Sequence, residues 1–194
     1  MSNVDAITPD QNDDDSWQEA SVIGNDAAYA AWAESARGVL LDPAGTYGAT
    51  ITTKQLSALV QDRTHIRTRQ LTHYWIGDVL GRVARDCAER QEPNLSALCV
   101  NADGGVGDGY GQVVEELTGA KVGDPDDHAA GERLECYRHF GAEMPSDGGR
   151  PQLTDRLAAA RTRSRKAAKD AKPADVCPAC NMALPATGVC DNCG

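Results

Sequence analysis

The sequence predicts an α+β fold that is mostly helical, with a winged-helix-like domain, a helical extension and a small C-terminal module. The order of patterns between Gly45 and Gly111 is the first observation: an amphipathic helix, a break at Gln91-Glu92-Pro93, a short strand and a glycine-rich hairpin. The second is the change at Asp26, where an acidic, aperiodic start gives way to helical periodicity. The third is a group of four cysteines near the end of the chain.

Composition is typical of a globular protein whose core relies on aliphatic side chains. The chain has 194 residues, of which 41% are hydrophobic and only 5% aromatic. The net charge is −10, but it is unevenly distributed: residues 50–91 hold seven basic and four acidic side chains, and residues 151–176 hold seven and three. The total charge alone would disfavour nucleic-acid binding, but these two basic segments could contact nucleic acid.

The first segments predict an arm followed by a helix. Residues 1–25 are polar and acidic and cannot bury enough apolar surface to offset the entropy of ordering, so we expect a disordered acidic arm. An alanine-rich helix then runs from Asp26 to Leu41 and ends at Pro43 and Gly45. It opens the winged-helix-like helical domain, which we assign to residues 26–144.

A second helix begins with a recognisable start signal. Thr52-x-x-Gln55 fits a capping box, in which each side chain binds the backbone N–H of the other residue. Leu56, Leu59 and Val60 follow at spacings that place them on the inner face.

A longer amphipathic helix is expected from Leu71 to Arg90, with Trp75 as its largest apolar side chain. Gly77 and Gly81 lie one turn apart on it, and each lowers helix propensity by about 1 kcal/mol relative to alanine. We therefore expect another backbone to pass close to these two glycines.

A strand and a wing are predicted after this helix. Ser96 to Val100 has the composition of a buried strand, and Asp103-Gly104 is a hairpin turn signal. The glycines that follow match neither dinucleotide nor phosphate-loop spacing, and the local charge is acidic. We interpret this stretch as a turn or wing.

The helical extension completes the domain. A short helix is expected from Gln112 to Leu117, and another is opened by Asp124 and closed by Gly141. Residues 145–176 then form a linker and a basic helix without an apolar stripe, as expected of a solvated spacer.

The four C-terminal cysteines predict a zinc ribbon over residues 177–194. Cys177-x-x-Cys180 and Cys190-x-x-Cys193 form two knuckles, which offer four thiolates to one structural Zn²⁺ in tetrahedral geometry. The segment has almost no large side chains, so metal binding would supply its folding energy, on the order of 10 kcal/mol or more. Two disulfides are the alternative, which a reducing compartment disfavours.

Localisation is expected to be cytoplasmic, without membrane contact. No apolar run approaches the roughly 18 residues that a membrane span needs, and the first twenty residues do not form a signal-peptide pattern.

The stretch from Gly45 to Gly111 resembles the DNA-binding domain of the alkylguanine DNA alkyltransferases and alkyltransferase-like proteins. Thr46-Tyr47-Gly48 looks like the strand end before that family's first helix-turn-helix helix, and the run from Trp75 to Leu80 resembles its second helix. The run from Cys99 to Gly107 resembles the Val-Val-x-x-x-Gly-x-x-Gly segment that follows the family's active site. The resemblance implies a winged helix that enters the minor groove and extrudes a nucleotide.

Two departures from the family pattern limit what the resemblance implies. On this register the alkyl-accepting cysteine position is Ser96, so alkyl transfer is not expected. Tyr74 stands where the family has its intercalating arginine.

These observations leave three classes of function open. The first is a non-enzymatic, DNA-binding regulator, in which the zinc ribbon contacts a protein partner or mediates self-association. The second is a protein adaptor that uses the same scaffold without DNA. The third is an enzyme, for which the sequence offers no paired nucleophile and base and no identified small-molecule substrate. The expected nucleic-acid contacts are Lys54, Arg63, Arg67, Arg69, Tyr74, Arg82 and Arg85.

Overall fold

The computed structural model describes residues 17–170, 176–185 and 188–193. Within this part the chain is mixed α and β and mostly helical, in agreement with the predicted class. It divides into two compact units after Asp155. The unconfirmed features of the prediction are the winged-helix topology and the ribbon topology.

The first unit contains six α-helices, two 3₁₀ turns and four very short strands among its described residues. In chain order they are β1 (Gln18–Glu19), α1 (Ala20–Ile23), α2 (Asn25–Ala44), β2 (Ile51–Thr52), α3 (Thr53–Thr64), β3 (Ile66–Arg67), a 3₁₀ turn (Thr72–Tyr74), α4 (Ile76–Glu89), a second 3₁₀ turn (Leu95–Leu98), β4 (Cys99–Val100), α5 (Tyr110–Thr118) and α6 (Pro125–His139). Both strand pairs, β1 with β3 and β2 with β4, are parallel. Because each strand has two residues, helix packing dominates the fold.

The core of the first unit lies between α2, α3, α4 and the second 3₁₀ turn. Two fully buried tryptophans form its centre: the rings of Trp32 and Trp75 lie 4.4 Å apart. The indole N–H of Trp32 donates to the carbonyl of Ile66 at 3.1 Å, which fixes β3 against α2. A smaller apolar cluster under α5 and α6 includes Tyr110 and Val114.

The predicted start of α3 is confirmed. The Gln55 backbone N–H donates to the Thr52 hydroxyl at 3.2 Å, and the Thr52 N–H donates to the Gln55 side chain at 3.0 Å. Leu56 and Val60 are buried as expected, but the prediction was wrong for Leu59, which is exposed.

The predicted single helix from Leu71 to Arg90 was wrong over its first turn. Residues Thr72–Tyr74 form a 3₁₀ turn, Trp75 has φ −133°, and α4 begins only at Ile76. The backbone leaves the helical path at Trp75 while its side chain packs into the core against Trp32. Leu71, predicted to face inward, is therefore 63% exposed.

The predicted strand from Ser96 to Val100 is also corrected, whereas of the predicted turn or wing the turn is present. The first half of that segment is a 3₁₀ turn, because the Asn94 side chain accepts the Ser96 N–H and starts it. The Asp103-Gly104 turn does form, with Gly104 at φ +91°. However, β4 pairs in parallel with β2, and in the part of the chain that the structure describes no return strand follows this turn. The glycine-rich loop leads directly into α5.

The predicted acidic arm ends earlier than Asn25. Residues 17–25 already contain β1 and α1, and the Gln18 N–H donates to the carbonyl of His65 at 2.8 Å. The prediction for residues 1–16 lies outside the described residues.

The second unit contains α7 (Asp155–Asp170), except for its first residue, and the four-cysteine segment. The side chains of α7 are mostly exposed, which agrees with the absence of an apolar stripe in its sequence. Among the described residues, no helix combines the length and the apolar character that crossing a membrane requires.

Candidate metal centre and nucleic-acid surface

The second unit brings the four predicted metal ligands together. The sulfur atoms of Cys177, Cys180, Cys190 and Cys193 all lie within 4.8 Å of one another. Thiolates on a tetrahedron around one zinc ion would be about 3.8 Å apart, given a Zn–S distance of about 2.3 Å. The Sγ atoms of Cys180 and Cys190 are 3.5 Å apart, so they are close but not bonded. The cluster can therefore hold a metal ion.

Local turns form the first cysteine knuckle. The Cys177 N–H donates to the carbonyl of Met182 at 2.8 Å, and the Asn181 N–H donates to the carbonyl of Cys177 at 2.8 Å. Asn181 has φ +56°, a conformation that asparagine adopts more readily than most residues. The turn is closed by an antiparallel bridge between Val176 and Ala183.

Backbone donors favour the thiolate form in this knuckle. Hydrogen bonds from the backbone of Ala179 and Cys180 lower the pKa of Cys177. The backbone of Met182 lowers the pKa of Cys180 to about 7, with smaller contributions from the neighbouring thiols. The thiolate is the form that ligates metals, so these donors prepare the sulfurs for an ion. Cys193 differs, because its hydrogen bond with Cys180 raises its pKa.

The basic residues predicted to contact phosphates are mostly engaged in ion pairs. Four of the predicted arginines have carboxylate partners, which the sequence prediction did not foresee. The pairs are Arg63 with Asp42 (3.9 Å), Arg67 with Glu19 (2.8 Å), Arg82 with Asp26, and Arg85 with Glu116 (3.3 Å). Ion pairs at exposed positions contribute little energy, typically about 0–1 kcal/mol, and can exchange partners.

The other predicted contacts are free of such pairing. Within the described residues, neither Lys54 nor Arg69 has an ion-pair partner, and both are exposed. Tyr74 is 67% exposed, and its ring lies 4.1 Å from that of His73. An exposed tyrosine beside a second aromatic ring offers a surface on which a base can stack.

A cleft of about 460 Å³ lies in the first unit, and its lining includes the chain neighbours of Lys54 and Tyr74. Thr53 precedes Lys54, His73 precedes Tyr74, and Leu71 lies two residues after Arg69. The opposite wall comes from the glycine-rich loop and the start of α5. The apolar lining includes Ile76, Leu80, Val106, Tyr110 and Val113.

The sequence patterns did not predict this cleft, although the two glycines of α4 indicated that something unusual lies beside that helix. Gly77 and Gly81 both line the cleft, and among the described residues no backbone outside their own helix contacts a side-chain atom added at either position. A side chain at Gly81 would meet the Val113 side chain at 3.5 Å, whereas one at Gly77 would extend into open space. The expected backbone contact at these glycines was therefore wrong, and their small size instead widens the cleft.

Two polar groups in the cleft wall are already hydrogen-bonded. The Ser96 hydroxyl, at the position that the resemblance assigns to an alkyl acceptor, donates to the Asn94 side chain at 2.7 Å. The Tyr110 hydroxyl lies 3.0 Å from Nδ1 of His128, and burial raises the pKa of Tyr110.

Comparison with protein-family models, with curated proteins and with solved structures found no match to this chain. The resemblance to the alkyltransferase-like proteins accordingly stays a prediction.

Proposed function

We propose that this chain is a non-enzymatic DNA-binding protein with regulatory function, in which the first unit contacts DNA and the second holds one structural zinc ion for partner contact. The observation that carries the proposal is the exposed Tyr74 next to the cleft residue His73, together with the exposed cations Lys54 and Arg69, which have no ion-pair partner among the described residues. Cations would bind phosphates and the tyrosine would stack on an exposed base.

The zinc assignment is supported by the donor set. Four cysteine thiolates fill a tetrahedral shell and leave no open position for substrate or water, which is typical of a structural site. Soft thiolate donors favour zinc over the harder divalent cations.

The second unit fits a protein partner or self-association better than DNA. From Cys177 to Gly194 the sequence has no Lys, Arg or aromatic residue. Val176, Met182 and Val189 are exposed there, and they provide an apolar surface beside the metal ligands. Such a surface is suited to another protein.

The test is a salt-titrated binding assay of the full chain with duplex DNA. Each phosphate contact adds roughly −0.9 to the slope of log K against log salt, so the two unpaired cations predict a slope near −2. A steeper slope would mean that the paired arginines exchange their carboxylates for phosphates.

Matched variants make this assay specific. Lys54→Ala should flatten the slope by roughly 0.9, while Lys121→Ala, another exposed lysine outside the cleft, should leave it unchanged. Tyr74→Ala should weaken binding by about 1–3 kcal/mol and Tyr74→Phe, which keeps the ring, by much less. Absence of salt-dependent binding at about 50 mM salt, where phosphate contacts are strongest, would refute the proposal.

A protein adaptor without DNA contact is the second candidate. The ion pairing of Arg63, Arg67, Arg82 and Arg85 favours it, because each carboxylate occupies a position that a phosphate would take. The same assay separates the two candidates, since an adaptor would show no salt-dependent binding of the duplex.

A further inference from the structure

A second cavity in the first unit lies outside the surface proposed for DNA. It has a volume of about 410 Å³ and lies along α6, between the segment after α2 and the segment before α7. Its lining includes Arg133 and Tyr137 from α6, Tyr47 and Thr50 from the first segment, and Arg150 from the second.

Arg133 is the unusual member of this lining. It is only 4% exposed, and its guanidinium donates from Nη1 to the carbonyl of Ala97 at 3.1 Å and from Nη2 to the carbonyl of Gln152 at 3.0 Å. Across the described ranges, no carboxylate lies within ion-pairing distance of it. A guanidinium has five N–H donors, so three remain available after these two bonds.

The charge of Arg133 is buried without an ion-pair partner among the described residues. Burial lowers the pKa of Arg133, and the electrostatic effects of Tyr137, Tyr110 and Asp126 oppose that shift. Asp126 is itself engaged, because its Oδ1 accepts the Val106 N–H at 2.8 Å. A guanidinium stays protonated in proteins, and a buried cation without a counter-ion costs several kcal/mol.

Arg150 contributes a second guanidinium to the lining of the same cavity. Arg150 is exposed, and its backbone N–H donates to the Tyr47 hydroxyl at 3.3 Å, which holds its segment in place. Asp155 also lines the cavity, but in the described structure it forms an ion pair with neither arginine. The lining therefore presents two cations and one solvated carboxylate.

We propose that this cavity binds the oxyanion group, carboxylate or phosphate, of a small ligand, with Arg133 as its buried contact and Arg150 as its outer contact. Arginine suits both groups because its planar fork donates two parallel hydrogen bonds. The volume lies within the range of about 300–1,000 Å³ that is usual for small-molecule sites. If Arg133 served only to link the backbone of Ala97 to that of Gln152, neither a cavity nor a second arginine would be needed beside it.

The test uses the full chain with inorganic phosphate and acetate as probes at constant ionic strength, and NMR shifts of the Gly48, Thr50 and Leu153 amides as the readout. We expect saturable shifts with at least one of the two anions. Preference for phosphate would assign a phosphate ester, and preference for acetate would assign a carboxylate.

Variants locate the binding in this cavity. Arg150→Ala should raise the dissociation constant roughly tenfold, as expected for one lost charge-assisted hydrogen bond. The variant should keep the fold, because within the described part of the chain the Arg150 side chain forms no hydrogen bond or ion pair. Lys121→Ala, which removes an exposed charge elsewhere, should have no effect. Arg133→Lys should weaken binding further if the variant folds. Absence of saturable shifts with both anions, or an unchanged affinity in Arg150→Ala, would overturn the proposal.

Discussion

Trp75 shows how packing outweighs an unmet hydrogen bond at a single residue. Its side chain is fully buried against Trp32, yet the indole N–H has no partner among the described atoms. A buried donor without a partner costs about 1–3 kcal/mol. The aromatic contact and the buried area of the ring compensate for that cost.

The first prediction concerns how much the buried Trp75 side chain contributes to the stability of the fold. Trp75→Ala should lower the free energy of unfolding by about 3–5 kcal/mol because it leaves a large cavity. Trp75→Phe should cost roughly 2 kcal/mol or less, since it keeps a ring and removes the orphan donor. Urea denaturation measures both. Tyr74→Ala, an exposed aromatic one residue away, is the control and should change stability by less than about 0.5 kcal/mol.

The second prediction concerns the reactivity of the seven cysteines. Burial raises the pKa of Cys99 to about 12 and also raises the pKa of Cys87 and Cys136. Because the thiolate is the nucleophile, these three should resist a thiol reagent at about pH 8, where an ordinary thiol is partly ionised. Metal-free native protein should show four fast thiols and three that react only after unfolding. A fifth fast thiol would show that Cys87, Cys99 or Cys136 is accessible, which would contradict their burial.

At the scale of elements, the sequence predicted those features that depend on residues close together in the chain. The capping box at Thr52 and Gln55 formed because both partners lie within four residues. The apolar face of α4 was also predictable, because its period of 3.6 residues is visible in the sequence. The four cysteines were predictable for the same reason: their spacing alone brings the sulfurs together.

Features that depend on distant packing were not predictable. The break before α4 arises because Trp75 packs on Trp32, more than forty residues away in the chain. The parallel pairing of β4 with β2 joins residues that are far apart in the sequence, and no local pattern encodes it. The cleft and the buried Arg133 arise from the meeting of several elements, so a single segment carries no signal for them.

The third prediction uses three glycines in different environments. Gly131 lies inside α6 with no atom near its missing side chain, so Gly131→Ala should stabilise the fold by up to about 1 kcal/mol. Gly81→Ala should stabilise α4 similarly, because the new methyl makes only ordinary contacts, but it should narrow the cleft and weaken DNA binding. Gly104→Ala should destabilise, since φ is +91° there. Thermal melting and the DNA assay report the two effects separately.

At the scale of the whole molecule, acidic side chains neutralise much of the positive charge that the first unit carries. The chain carries −10, but the acidic residues Glu19, Asp26, Asp42 and Glu116 are positioned against arginines of the first unit. These pairs lower the positive field at the surface of the first unit. Any DNA binding should therefore be weak and only shallowly dependent on salt, because it starts from the few unpaired cations.

The last prediction concerns the independence of the two units, which divide after Asp155. Removing the metal with a chelator, or changing Cys177 to Ser, should abolish zinc binding but leave the main thermal transition of the first unit unchanged. The reason is that metal binding stabilises only the structure that folds around it.

The reciprocal variant is Cys87→Ser, which places a hydroxyl in the buried core of the first unit. It should cost about 1–3 kcal/mol, lowering the main transition by roughly 2–12 °C for a chain of this size, while the zinc content stays at one ion per chain. Melting followed by circular dichroism, together with metal analysis of the same samples, measures both quantities. If zinc removal also lowered the main transition by several degrees, the two units would be energetically coupled and their division at Asp155 would not describe how the protein unfolds.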